Sequence, residues 1–203
     1  MMGFKLAIFF LGPPGAGKDT QAGLLAKKLN LALLSSGDIV REKIKNNPKM
    51  KKIYDSGKLT PPETMAQWTI EAINQKKSFI FSGALRTLQE AKKLLFFLEK
   101  NNYQIFAFNI DISPQETLKR NLLRARDIID TEDKIKERLN VYDKQTKPVL
   151  DFFEDKIIQI NGEQSIKQVH KDISDAFGRQ DFSSNNGASC ASCQTGCVFA
   201  GTK

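Results

Sequence analysis

The stretch Gly12-Pro13-Pro14-Gly15-Ala16-Gly17-Lys18-Asp19-Thr20 combines a Gly-x-x-x-x-Gly-Lys spacing with a hydroxyl two positions beyond the lysine. The pattern suits polyphosphate binding. Only a backbone without side chains in the way can turn its N–H groups onto phosphate oxygens, and a helix opening at the end of the loop adds the positive end of its dipole. Lys18 then reaches the β and γ phosphates of a nucleoside triphosphate. The Ser or Thr that usually follows the lysine is replaced by Asp19, with Thr20 one position on, so the hydroxyl that meets Mg²⁺ is displaced in register. A second cluster, Cys190-x-x-Cys193-x-x-x-Cys197, has metal-like spacing. It offers three sulfurs and no nearby histidine, short of the four protein ligands of a closed zinc site, so no protein-held metal site is expected there. An oxidisable tail is expected instead.

The loop needs a strand before it and a helix after it. Lys5 to Leu11 (KLAIFFL) is a nearly continuous apolar run ending at the Gly/Pro turn, as in a strand buried on both faces of a parallel sheet. Thr20 to Asn30 supplies the helix, with Leu24, Leu25 and Leu29 on one stripe and Lys27 and Lys28 on the wet side. Further short apolar runs at Leu31–Leu34, Phe79–Phe81, Ile105–Ile110 and Ile157–Ile160 alternate with helical segments. This predicts an α/β fold, a parallel sheet of about five strands flanked by helices. Between Ser35 and Lys77 short helical pieces broken at Pro48, Gly57 and Pro61-Pro62 suggest a small helical insertion. From Arg120 to Arg138 charge is concentrated and the apolar pattern thins, as at an exposed, mobile segment. From Arg179 the chain is rich in Ser, Asn, Gly and Ala and is expected to be disordered.

With 203 residues, 40% hydrophobic and 27% charged, the chain fits one globular domain with small insertions and excludes a mini-protein or a wholly disordered chain. The run Leu6–Leu11 is far shorter than the roughly 20 residues that span a bilayer, and Gly12-Pro13-Pro14-Gly15 interrupts any signal-peptide reading. No membrane association is expected. The 31 Lys and Arg against 23 Asp and Glu give a net charge of +8, compatible with nucleic acid, a membrane surface or a phosphorylated small molecule. No basic block is interleaved with aromatics, so phosphate chemistry fits better than nucleic-acid binding. The three cysteines all lie in the last 14 residues, which leaves the body without a disulfide framework and makes the cytoplasm the default location.

Gly12 to Ala22 (GPPGAGKDTQA) resembles the signature of the adenylate kinases and the wider nucleoside monophosphate kinase family, and the likeness runs over roughly residues 5 to 178. Ser35-Ser36-Gly37-Asp38-Ile39-Val40-Arg41 is similar to the family's Ser-Thr-Gly-Asp-x-x-Arg, and Gly57-Lys58-Leu59-Thr60 to the edge of its monophosphate-binding insertion. Gly83-Ala84-Leu85-Arg86-Thr87 stands where the family carries Gly-Phe-Pro-Arg-Thr. Arg120, Arg124, Arg126, Asp130 and Arg138 resemble the arginine set of the lid and the helix after it, in a lid of the short type without zinc-ligand cysteines.

The resemblance implies a kinase domain over residues 1–178, with the insertion at about 35–64, the lid at about 124–131 and a tail over 179–203. It implies phosphoryl transfer from Mg²⁺-bound ATP to a nucleoside monophosphate, first AMP, by a monomeric enzyme. Such chemistry asks mostly for alignment and charge neutralisation, for which arginine forks are suited. Gly12, Gly15, Ala16, Gly17, Lys18, Asp19, Thr20, Arg120, Arg124 and Gln164 are then expected at ATP, with Arg120 flanking its base. Ser36, Arg41, Lys58, Leu59, Thr60, Gly83, Arg86, Glu90, Arg126 and Arg138 are expected at the monophosphate. Lys18, Arg86, Arg124, Arg126 and Arg138 would carry the transfer.

Three departures from the family pattern bear on this expectation. Ser82 replaces the Asp that orders the water shell of Mg²⁺, and Asp19 is a candidate to supply the missing carboxylate. Ala84-Leu85 replaces Phe-Pro. Glu90 replaces the Gln that reads adenine, and an ionised carboxylate, which only accepts hydrogen bonds, suits guanine N1–H and N2–H₂ better. A GMP kinase and a catalytically weak nucleotide-binding protein are therefore the alternatives to an AMP kinase.

Overall fold

The computed structural model describes residues 5–56, 59–74, 77–124, 132–153 and 157–179. In chain order these form β1 (Lys5–Leu11), α1 (Lys18–Leu29), β2 (Ala32–Ser35), α2 (Ser36–Ile44), α3 (Pro48–Asp55), α4 (Pro62–Ile73), β3 (Phe79–Ser82) and α5 (Leu88–Lys100). There follow β4 (Tyr103–Asp111), α6 (Pro114–Arg124), α7 (Glu132–Val141), a π-helical turn at Tyr142–Thr146, α8 (Lys147–Phe152), β5 (Ile157–Asn161) and α9 (Ile166–Gly178).

The strands make one all-parallel sheet in the order β2-β3-β1-β4-β5, so β1 is central. Its continuous apolar run reflects burial on both faces. Ala7, Phe9 and Leu11 join Phe79, Phe81, Leu94 and Leu98 on the α5 side, while Ile8 and Phe10 join Leu25, Phe108 and Ile173 on the side of α1 and α9. Phe9 and Phe10 are wholly buried, each contributing about 1.5–3 kcal/mol of transfer free energy. From β1 the chain first moves outward to β2 on one side. After β3 it crosses to β4 on the other, so the strand order switches beside the carboxyl end of β1. That is where open α/β sheets place their ligand crevice.

Between β2 and β3 the chain forms α2, α3 and α4. Pro48 and Pro62 occupy the first position of their helices, where a missing N–H costs nothing. Val40, Ile44 and Met65 form a small core of its own, with Trp68 packed against it. The expectation of an exposed, mobile segment over 120–138 is corrected at both ends. α6 continues to Arg124, and α7 begins at Glu132 with Ile135 fully buried. The concentrated charge there pairs at helical spacing, Arg120 with Glu116 and Lys136 with Glu132, which supports a helix instead of loosening one. Among the described residues no helix is long and apolar enough to cross a membrane. The tail from residue 180, with Cys190, Cys193 and Cys197, lies outside the described residues.

Candidate active site

The loop Gly12–Gly17 connects the end of β1 to α1 and takes left-handed backbone at Gly12 (φ 132°), Gly15 (φ 82°) and Gly17 (φ 90°), the last capping α1. Space dictates the first two glycines as much as conformation. A Cβ on Gly12 would stand 2.2 Å from the Ile110 carbonyl oxygen, and one on Gly15 would stand 2.6 Å from Asn121 Nδ2. Lys18 Nζ donates to the carbonyls of Gly12 (2.9 Å) and Pro13 (2.7 Å), so the ammonium spans the mouth of the loop. Asn121, on α6, donates to Pro14 O at 3.2 Å and to Thr117 O at 2.7 Å. Sequence reasoning missed this buried brace, because a mid-helix asparagine carries no motif.

Asp19 and Thr20 lie exposed in the first turn of α1. Ser82 Oγ, at the carboxyl end of β3 and 2% exposed, donates to Asp19 Oδ1 at 2.6 Å. Two positions 63 residues apart therefore share one spot.

On the far side of that contact stands Arg86. Its Nε donates to Gly83 O (3.0 Å) and its Nη2 to Ser36 Oγ (3.0 Å), while Thr146 Oγ1, from the π-helical turn, donates to the Arg86 carbonyl (2.9 Å). The guanidinium lies on the floor of an open cleft, reachable by solvent yet surrounded by protein. Desolvation there pushes its pKa below the usual arginine value, against the charges of Glu90, Asp19 and Tyr54, and Arg138 on α7 pushes the same way as desolvation. The group stays protonated regardless. Asp19 and Arg138 thus lie within electrostatic reach of Arg86.

A narrow pocket with about 30 Å³ of internal space opens beside Arg86, lined by Ser36, Leu59, Thr60 and Glu90 of the expected set. Val40, Met65 and Thr87 complete it. Arg41, one helical turn beyond Gly37, pairs with Asp38, and that hydrogen bond is the main cause raising its pKa. Its guanidinium covers Gly37, whose Cβ would meet Nη1 at 3.1 Å. Arg41 is therefore on the insertion beside the cavity but is not among its lining residues.

Glu90 is placed differently from the expectation. It is 2% exposed, and its two oxygens accept the consecutive backbone N–H groups of Leu85 (3.0 Å) and Arg86 (3.1 Å). Leu85 has φ 60°, a left-handed conformation that a non-glycine residue adopts only when held there. The family's proline at this position would have neither that φ nor an N–H. Leu85 and Glu90 thus account for each other: losing the proline frees a donor, and the carboxylate accepts it. Burial raises the Glu90 pKa above the usual carboxylate range, outweighing Arg86 and the two N–H donors.

At the other end of the cleft, Arg120 on α6 packs against Gly15 and bonds Glu116 Oε1 (2.7 Å) and Gly162 O (2.9 Å), tying the loop to the turn after β5. Gln164, in that turn, spends its amide nitrogen on Asn161 O and Asp172 Oδ2, so its side chain faces α9. Arg124 ends α6; its side chain, and Lys58, Arg126, Asp127 and Asp130, lie outside the described residues.

A glycine-rich loop between the central strand and α1, at the switch point of a five-stranded parallel sheet, defines a P-loop phosphotransferase fold. The helical insertion beside it holds a second cavity with an arginine at its floor. Residues 10–158 match the family model for adenylate kinase. The chain is 32% identical to the adenylate kinase of Clostridium novyi, over 83% of this chain and 97% of that protein. It is 34% identical to the adenylate kinase of Corynebacterium aurimucosum, over 83% and 97%, and 34% identical to adenylate kinase 1 of a Nostoc species, over 84% and 98%. The chain belongs to the adenylate kinase family and is a nucleoside monophosphate kinase.

Proposed function

We propose that the reaction is ATP + AMP ⇌ 2 ADP, with AMP as the preferred acceptor. The observation that carries this reading is the cleft itself. Arg86 bonds Ser36 beside the pocket and feels the charges of Asp19 and Arg138, while Asp19, in the first turn of the helix after the phosphate loop, accepts from Ser82 one residue before Gly83; this adjacency of the loop and the pocket supports a reading with two phosphate sites. A protein that only bound one nucleotide would have no use for a separate pocket with an arginine beside its phosphate loop. Glu90 had favoured GMP as the alternative, but its oxygens are occupied by the Leu85 and Arg86 amides, which leaves little to offer a guanine edge.

In this reading the amides of Gly15, Ala16 and Gly17 with Lys18 hold the ATP phosphates, and Arg120 flanks the base. Arg41 and Arg86 hold the monophosphate's phosphate, while Arg124, Arg126 and Arg138 approach the transferring group. Several guanidinium forks from different sides align the two phosphates and neutralise transition-state charge without a general base. Among the described residues no three His, Cys, Asp or Glu side chains converge on a metal site. The oxygen donors near the loop, Asp19, Thr20 and Ser82, instead suit Mg²⁺, which keeps waters and takes most ligands from nucleotide phosphates. When bound, Mg²⁺ supplies charge neutralisation between β and γ oxygens. The insertion at about 35–64 and a lid at about 124–131 would close over the two nucleotides. Since one chain supplies every group, a monomer suffices. Cysteines confined to the tail favour the cytoplasm.

The test is ADP formation from ATP and Mg²⁺ with AMP, GMP, CMP, UMP and dTMP offered in turn under reducing conditions. AMP should turn over fastest. Preference for GMP would restore Glu90 as a base reader, and silence with all five despite ATP binding would make the chain a nucleotide-binding module.

A further inference from the structure

We infer that the protein carboxylate serving the nucleotide-bound Mg²⁺ in this chain is Asp19, on the first turn of α1, and that Ser82, at the end of β3, is its hydrogen-bonding support. The inference rests on the kinase reading above and specifies how its metal is held.

The contact between the two residues is the main ground. Ser82 is buried and its hydroxyl donates to Asp19 Oδ1 at 2.6 Å, while Asp19 itself is open to the cleft. A carboxylate at either position therefore reaches the same volume. Two ionised carboxylates at that separation would repel each other and one would be forced to take up a proton. A single acid with a neutral hydroxyl opposite avoids that conflict. This chain has the pair in one order, acid on the helix and hydroxyl on the strand.

The helix is a suitable place for the charge. The N-terminal turn of α1 favours an anion through its exposed N–H groups and dipole, and Lys18 precedes it in sequence. The contact with Ser82 at the end of β3 sets the carboxylate where the phosphate-loop helix meets the strand that leads to Gly83 and Arg86, beside the loop that would hold the nucleotide phosphates. Mg²⁺ needs only one or two carboxylates when phosphates supply other ligands, and the Ser82 hydroxyl fixes the rotamer of this one. One consequence separates this arrangement from a carboxylate on β3. The groups that hold the phosphates and the group that orders the metal ride on the same loop and helix, so movement between α1 and β3 does not disturb their spacing.

The experiment measures Mn²⁺ binding by electron paramagnetic resonance, with the full-length protein and the β,γ-imido analogue of ATP. Wild type is compared with Asp19→Asn, which keeps an acceptor for Ser82, and with the transposed double variant Asp19→Gly/Ser82→Asp. Asp19→Asn is expected to weaken Mn²⁺ in the ternary complex by about 10- to 100-fold, the usual cost of losing an ordering group. Its affinity for the metal-free analogue in EDTA should be unchanged or tighter. The transposed variant should recover the wild-type Mn²⁺ affinity. Wild-type Mn²⁺ affinity in Asp19→Asn, or a folded transposed variant that stays weak, overturns the assignment and leaves Ser82–Asp19 a structural contact, visible only as a shift in Tm. Failure of wild type to bind the analogue even in EDTA would instead overturn the kinase reading itself.

Discussion

The two phosphate-binding regions of the cleft are built by different means. The donor loop Gly12–Lys18 works through main chain: three of its glycines take left-handed backbone, and Ile110 O lies 2.2 Å from where a Gly12 side chain would begin. The acceptor loop Gly83–Glu90 works through side chains, with Glu90 accepting the Leu85 and Arg86 amides and Arg86 reaching Ser36. A backbone site tolerates almost no substitution. A side-chain site can change residues in pairs and keep its shape, and this is where Ala84, Leu85 and Glu90 depart from the family pattern.

Breaking the donor side should cost the most. Lys18→Ala removes a charge aimed at the transferring phosphates and should lower kcat by about 10²–10³-fold or more, with an unchanged thermal transition. Steady-state kinetics alongside calorimetry check both halves, and near-normal turnover would remove Lys18 from the phosphates. Gly12→Ala comes next, since its Cβ has no room against the Ile110 carbonyl and its φ of 132° is strained for any L side chain. It should lose about 1–3 kcal/mol of stability and most of its ATP affinity, measured by denaturant unfolding and nucleotide titration. A well-folded variant with normal ATP binding would mean that the loop relaxes more easily than its packing implies.

The same contrast explains what was legible beforehand. β1 was readable to the residue, because a strand buried on both faces leaves an unbroken apolar run, and the loop because backbone constraint writes itself as glycine spacing. β4 begins at Tyr103, two residues before its apolar run, because pairing with Lys5 of β1 extends it through Gln104. Partners on another strand are invisible locally. The expectation of an exposed, mobile segment over 120–138 fails at its two ends, where charge at i,i+4 spacing, Arg120 with Glu116 and Lys136 with Glu132, is itself a helical signal. In the site, Arg86, Ser36, Leu59 and Thr60, distant in sequence, line one pocket. The engagement of Glu90 with the Leu85 and Arg86 amides is not legible in the sequence, since nothing local shows that a residue five positions earlier needs an acceptor for its N–H.

The Leu85–Glu90 pairing can be sharpened by a double-mutant cycle. Glu90→Gln leaves one acceptor oxygen for two buried N–H groups, and Leu85→Pro imposes a φ near −65° on a residue now at 60°. Each single variant should lose about 1–3 kcal/mol and raise KM for the monophosphate by misplacing Arg86. The double variant should recover part of both losses, because proline removes the donor that glutamine cannot serve. Losses that simply add would show the two positions to be independent.

The smallest expected effect is a pH dependence confined to Glu90. Burial holds its carboxyl above the usual range, against the pull of Arg86 and the two N–H donors, so the folded chain binds this proton more tightly than the unfolded chain. The stability linked to it is fully present below the ordinary carboxylate range and is lost as pH rises through the raised value. The wild-type denaturation midpoint should therefore fall relative to Glu90→Gln across that window and run parallel to it on either side. Only the slope of the difference matters, since the variant's lost hydrogen bond offsets every pH alike. A slope of the opposite sign would mean that the two amide donors and Arg86 outweigh burial, and that Glu90 enters the folded state as a carboxylate locked to its loop.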